Sequence, residues 1–148
     1  MNQGRQLCTF FLQDLCFGVE VERVQEVIRY QEMTRIPLAP EVIAGLINLR
    51  GQIVTAIDLR RQLELPFRDA KQLPMNVVIR NDDAPISLLV DEIGDVVEVD
   101  EESFETPPET LEARRREFLR GVYKLKDKLL LLLDTGKAVS IVGGHAGQ

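Results

Sequence analysis

The chain has 148 residues, 45% of them apolar, with no Trp and a formal net charge of -6. That length suits one globular domain or two small lobes sharing a core, and the acidic balance argues against a nucleic-acid footprint. With so few aromatics, Val, Ile and Leu must fill the core, and branched aliphatic cores favour strands.

The first six residues, Met1 to Gln6, are polar, and no charged segment leads into an apolar one, so no signal peptide is expected. Leu7 to Leu12 and Leu15 to Val21 alternate as an antiparallel hairpin turning near Gln13-Asp14. In that register Cys16 sits opposite Phe11 and Cys8 lies further along, so both read as reduced, small apolar residues. Glu26 to Tyr30 continues as strand. Pro40 to Leu46 reads as a short helix, with Pro40 in its first turn and Gly45 near its end. The Arg50-Gly51 turn leads into a strand over Gln52 to Ile57, and Asp58 caps a second short helix reaching Leu63. Pro66 to Pro74 reads as the link between lobes.

Beyond it, Asn76 to Arg80 and Pro85 to Val90 form a hairpin across Asn81-Asp82-Asp83, and Val96 to Val99 closes that lobe. Glu101 to Phe104 suits a single turn. Arg114-Arg115-Arg116, flanked by Glu109, Glu112 and Glu117, reads as a solvated face and not a phosphate-binding patch. Lys128 to Leu133 is a strand after the Lys126-Asp127 turn. Its run Leu129 to Leu133 is the longest apolar stretch and falls far short of the ~20 residues that span a bilayer. Together with the polar start, this points to the cytoplasm. Asp134 or Thr135 caps a last turn running to Val139, and residues 141–148, ending in Gly143 to Gln148, read as a disordered tail.

An internal duplication organises these elements. Phe17 to Ile28 resembles Ile86 to Val97, each a strand, an acidic step and an apolar-polar-acidic-apolar-apolar segment. Gly45 to Asp58 resembles Gly121 to Asp134 without a gap, in the order Gly, apolar, Leu, base, turn, apolar strand and terminal Asp. Two copies are too few for a solenoid, which needs about three or more repeats. They suit two small lobes, each marginal alone and stabilised across a shared apolar interface.

Reactive chemistry is sparse. His145 is the sole histidine and lies in the tail, which removes the commonest general base and metal ligand from the body of the chain. No phosphate-cradling loop is present, because Gly45 to Gly51 lacks a Lys-Ser/Thr ending. Asp91, Glu92, Asp95, Glu98, Asp100, Glu101 and Glu102 do not match a calcium-loop spacing and read as a solvated edge. Asp58 and Asp134 occupy equivalent duplicated positions, which favours structural caps over a catalytic pair. No enzyme activity, cofactor or metal is expected, and binding by strand edges or by the groove between lobes remains.

Val24-Gln25-Glu26-Val27-Ile28, Thr34-Arg35-Ile36-Pro37, Gly45 to Val54, Ile57 to Arg60, Leu89-Val90-Asp91 with Asp95-Val96, and Gly121 to Asp134 closely resemble the CheW family. The Asn-Leu-Arg-Gly stretch at 48–51 is specific to that family and its relatives, which include the regulatory domain of the kinase CheA and the front half of CheV. The resemblance implies one domain over residues 6–140, mainly β, built as two SH3-like five-stranded β-barrel lobes with a few short helices. Lobe one is expected over about 14–65, and lobe two over about 75–140 plus the N-terminal strand. It also implies an adaptor, without cofactor, that couples chemoreceptors (methyl-accepting chemotaxis proteins) to the histidine kinase CheA in a chemosensory array, reaching the membrane only through receptors. Matched to this sequence, the receptor's cytoplasmic tip would dock at Val24, Asn48, Leu49 and Arg50, and the kinase's regulatory domain at Glu26, Ile28, Met33, Arg35 and Ile36. The rival readings are an adaptor of a non-flagellar pathway, controlling pili or a second messenger, and a small-ligand-binding barrel.

Overall fold

The computed structural model describes residues 4–82 and 84–146, the side chains of 141–146 excepted. In chain order its strands are β1 (Arg5–Leu12), β2 (Leu15–Glu20), β3 (Val24–Ile28), β4 (Ile43–Leu49), β5 (Gln52–Asp58), β6 (Met75–Ile79), β7 (Ile86–Val90), β8 (Glu92–Val99), β9 (Phe104–Glu105), β10 (Leu119–Lys124) and β11 (Leu129–Leu133). The helices are α1 (Leu59–Gln62), α2 (Ala113–Glu117) and α3 (Thr135–Ala146), with single 3-10 turns at Val21–Arg23 and Glu101–Ser103. The molecule is mainly β with few short helices, as the apolar alternation predicts.

The strands form a six-stranded sheet, ordered β8-β1-β2-β11-β10-β9, and a five-stranded sheet, ordered β3-β6-β7-β5-β4. Neither is a closed barrel: β3 and β4 are the outermost strands of one sheet, β8 and β9 of the other. The duplication is visible in both orders, with β3 matching β8, β6 matching β1, β7 matching β2, β5 matching β11, and β4 matching β10. Even the register repeats. Leu131 pairs in parallel with Phe17, and the residues matched to them in the other copy, Thr55 and Ile86, pair in parallel likewise. The bulge at Leu119/Gly121 has its counterpart at Ile43/Gly45, and the bulge at Cys8/Phe10 is matched where β3 meets β6.

The lobes are therefore not continuous stretches of chain. Each sheet takes its opening hairpin from one half of the chain and its other long strands from the other half. β2, expected in lobe one, lies in the six-stranded sheet, while β6 and β7, expected in lobe two, complete the five-stranded one. Pro66 to Pro74 connects α1 to β6 within one sheet, and the chain crosses between sheets at Val21–Arg23 and at Asp91 instead. Prolines report only that a segment leaves the strand, not which sheet it returns to.

The largest cluster of buried apolar residues lies between the sheets. Phe10, Leu12, Phe17 and Val19 meet Ile57, Val77, Ile79, Leu88 and Val90 there, with Leu59 of α1, Leu63 just after it and Ala138 of α3. Phe10 and Phe17, directly opposed across the hairpin, stack with centroids 5.7 Å apart. Each sheet also curls around a smaller cluster of its own: Leu7, Cys16, Val99, Tyr123, Leu130 and Leu132 in one, Ile47, Leu49, Val54 and Val78 in the other. Full burial of one such aliphatic side chain stabilises by about 1.5–3 kcal/mol, so the inter-sheet cluster dominates the packing.

Two local expectations differ from the structure. Pro40 to Leu46 is not a helix; a turn closes from the Pro40 carbonyl to the Ile43 amide (3.0 Å), and β4 then begins. β-branched Ile43 and Ile47 suit a strand, and pairing with β5 overrides the turn's helical start. The final helix extends past Val139 through Ala146, so 141–146 is helical where a disordered tail over 141–148 was expected; 147–148 lie outside the described residues. Asp58 does cap α1, accepting from the Arg60 amide two residues on, and Asp134 caps α3, accepting from the Lys137 amide three residues on.

Candidate functional site

β3 and β4 are the two edges of the five-stranded sheet, and the curl of that sheet brings them face to face. The β4–β5 hairpin closes through a two-residue turn between the paired Leu49 and Gln52. Arg50 (φ 53°) and Gly51 (φ 87°) both take left-handed backbone, the conformation that two-residue turns of the primed type require. The Asn48 side-chain oxygen accepts from the Gly51 amide at 2.9 Å. From this turn the Arg50 guanidinium crosses the opening and donates to the Glu26 carboxylate on β3. That bond holds the Glu26 carboxyl below the usual carboxylate range.

Beneath the bridge, Ile28 of β3 and Met33 pack against Ile47, Leu49, Val54 and Val78. Leu49 faces inward and is buried, so it supports the surface without lying on it. Val24 is half-buried against the inter-sheet core. Val27 and Ile53, by contrast, are exposed. The segment after β3 bridges back to the sheet where the Thr34 and Leu46 backbones exchange hydrogen bonds at 2.8 Å. Arg35 and Ile36 then line a wide recess of about 890 Å³ with Tyr30, Met33, Glu41 and Arg61.

The sequence-predicted residues thus fall into two groups. Asn48, Leu49, Arg50, Glu26, Ile28 and Met33 converge on one opening, whereas Arg35 and Ile36 lie round the corner in the recess and Val24 reaches the inter-sheet core. Within the first group, Arg50, expected to meet the receptor, bonds Glu26, expected to meet the kinase.

A second cluster escaped sequence reasoning. Asp91, expected on a solvated edge, is buried at the crossing from β7 to β8. It accepts from Arg60 Nε at 2.9 and 3.1 Å, from Arg60 Nη2, from Arg68 Nε at 2.9 Å and from the Gln13 amide at 2.7 Å. Arg60 also donates to the carbonyl of Pro66 at 3.0 Å. Burial alone would raise the Asp91 carboxyl, but these donors outweigh it and hold the group below its ordinary value. One carboxylate therefore ties the β1–β2 turn, α1 and the 66–68 segment to the inter-sheet crossing. The available signal was an acid directly after the all-buried strand Ile86–Val90.

Both cysteines are free, and burial raises both thiols. Among the described residues no group of acids, Cys and His is placed to hold a metal ion, and no helix is long and apolar enough to cross a membrane.

A family model described as a CheW-like domain matches residues 6–142. The chain is similar to the chemotaxis protein CheW of Treponema pallidum (strain Nichols), 29% identical over 141 residues, covering 91% of this chain and 82% of that protein. It is similar also to the chemotaxis protein CheW of Klebsiella aerogenes, 30% identical over 137 residues, with 93% and 82% covered. Among solved structures it resembles the scaffolding protein TtCheW from Thermoanaerobacter tengcongensis, with a TM-score of 0.78, 30% identity, and 88% and 89% of the two chains covered.

Proposed function

The chain belongs to the CheW family, and on that premise we propose that it is a non-catalytic adaptor joining the cytoplasmic tip of a chemoreceptor to the regulatory domain of a CheA-like histidine kinase. In this reading it works in the cytoplasm and gathers at receptor arrays on the inner face of the membrane through its partners. The receptor meets the Asn48–Arg50 turn, with Leu49 supporting it from below, while Val24, the remaining residue of the receptor set, packs against the inter-sheet core. The kinase meets the β3 side, through Glu26, Ile28 and Met33, and the recess at Arg35 and Ile36.

One observation carries the reading: Arg50 of the receptor set and Glu26 of the kinase set share an ion pair across the opening between the two outermost strands of the sheet. Partners seated on either side touch the same pair. A change in one docked partner then alters the affinity or activity of the other through a coupling free energy, typically about 1–3 kcal/mol. Holding both partners on one small body also raises their effective concentration for each other.

The test is co-precipitation of the intact protein with its co-encoded histidine kinase and with a receptor cytoplasmic fragment, using native protein and R50A. Arg50 is exposed, so R50A should leave the circular dichroism spectrum and unfolding midpoint near native while receptor capture falls. Undiminished receptor capture would remove this surface from the assignment. Failure of the native protein to retain either partner would remove the adaptor reading altogether.

A further inference from the structure

We infer that Asn48 is a positioning residue for Arg50: its side chain clamps the hairpin turn in the left-handed form that aims the guanidinium across the open sheet at β3. The inference rests on the docking reading above and changes the part Asn48 plays in it, from contact to clamp.

Three features occur together in the first copy of the duplicated hairpin. The Asn48 oxygen accepts from the Gly51 amide at 2.9 Å. Arg50 takes a φ of 53°, which strains any residue with a Cβ. Its guanidinium reaches Glu26 on the opposite edge strand. The bond from Asn48 offsets that strain, because it satisfies an amide that the two-residue turn leaves without a strand partner.

The second copy acts as an internal control. Asn48, Arg50 and Gly51 match Lys124, Lys126 and Asp127, and Glu26 matches Asp95. That hairpin closes at the same register, with the Leu125 amide donating to the Lys128 carbonyl at 2.8 Å. Lys124 has no acceptor to offer the turn and pairs instead with Glu105 at 3.0 Å. Neither Lys126 nor Asp127 is among the left-handed residues, and among the described residues no ion pair joins Lys126 to Asp95. Where the side-chain acceptor is missing, the left-handed turn and the bridge to the edge strand are missing too.

The alternative is that Asn48, exposed on β4, is simply a contact for the receptor. The two roles separate in a double-variant cycle on the full-length protein. Clamp and guanidinium act as one unit, so N48A and R50A should each weaken binding of a receptor cytoplasmic fragment, N48A by roughly five- to tenfold. The double variant should be no weaker than R50A alone. N48D keeps the acceptor oxygen and should restore binding.

A second readout needs no partner. The Glu26 carboxyl, followed by carbon NMR during a pH titration, should move up toward the ordinary carboxylate midpoint in N48A, in the same direction as in R50A, and stay down in N48D. Additive losses in the double variant, or a Glu26 titration in N48A identical to native, would overturn the clamp. A shifted Glu26 titration with native receptor binding in both N48A and R50A would support the clamp and sink the docking surface instead.

Discussion

Arg60 and Asp91, 31 residues apart in the chain, meet in the interior with Arg60 Nε within 2.9 and 3.1 Å of the two carboxylate oxygens, and both side chains are more than nine-tenths buried. Removing one partner of such a pair leaves the other charge buried without compensation, which costs about 3–5 kcal/mol. D91N keeps the shape and loses the charge, and it strands Arg68 as well as Arg60. Urea unfolding of D91N should show an unfolding free energy lowered by that order, seen as a lower midpoint at an unchanged slope. A near-native midpoint would mean that water, and not the carboxylate, satisfies these guanidiniums.

The same carboxylate gives the stability a pH dependence of fixed sign. Its folded value lies below its unfolded one, because the Arg60, Gln13 and Arg68 donors outweigh the opposing effect of burial. The stabilisation is then complete above the unfolded value, about 3.9 for an aspartate, and is lost as pH falls through the folded value. Urea midpoints measured downward from pH 6 should fall on acidification, and D91N should show a shallower dependence. Equal slopes for native and D91N would assign the acid sensitivity to other carboxylates.

Gly45 and Gly121 occupy matching bulges of the two hairpins, and in both the neighbouring backbone leaves no room for a side chain. A Cβ on Gly45 would stand 2.7 Å from the Thr34 carbonyl oxygen, and one on Gly121 would stand 2.7 Å from that of Glu105 and inside the Phe104 ring contact. Backbone cannot swing aside as a flexible side chain does. G45A and G121A should each destabilise by about 1–3 kcal/mol, read as a lowered thermal midpoint. G45A should also loosen the Thr34 bridge beside the proposed kinase face, visible as faster exchange of the Thr34 and Leu46 amides.

The sequence carried the strands well because their chemistry is local. Alternation placed Leu7 to Leu12 and Leu15 to Val21 in a hairpin, one residue beyond the observed end of β2, and the Asp58 cap needed only the next two residues. What it did not carry was partner choice. Alternation says which face of β6 or β2 is apolar, not which sheet receives it, so the exchange of hairpins between halves was invisible in spite of a legible duplication. Asp91 was misplaced for the same reason: its donors lie 31, 23 and 78 residues away, at Arg60, Arg68 and Gln13, where no spacing rule applies. The candidate site was half legible. The Asn-Leu-Arg-Gly motif located the turn, but only the curl of the sheet brings Arg50 to Glu26, 24 residues back.

Exchange of hairpins has a thermodynamic consequence of its own. If each half of the chain built its own sheet, one sheet could melt while the other stood. Here β1 and β2 cannot leave the six-stranded sheet without pulling on β3 through the Val21–Arg23 turn, and β8 is tied to β7 through Asp91 in the same way. The inter-sheet core adds to this, since Phe17 and Val19 pack among the same residues as Leu88 and Val90. Both sheets should therefore unfold in one step. Native-state hydrogen exchange would test it: the slowest amides of β2 and β11 in one sheet, and of β5 and β7 in the other, should report the same opening free energy, equal to that from urea unfolding. A gap between the two sheets of more than about 1 kcal/mol, well beyond the uncertainty of such extrapolations, would show that the crossings are hinges and the sheets independent.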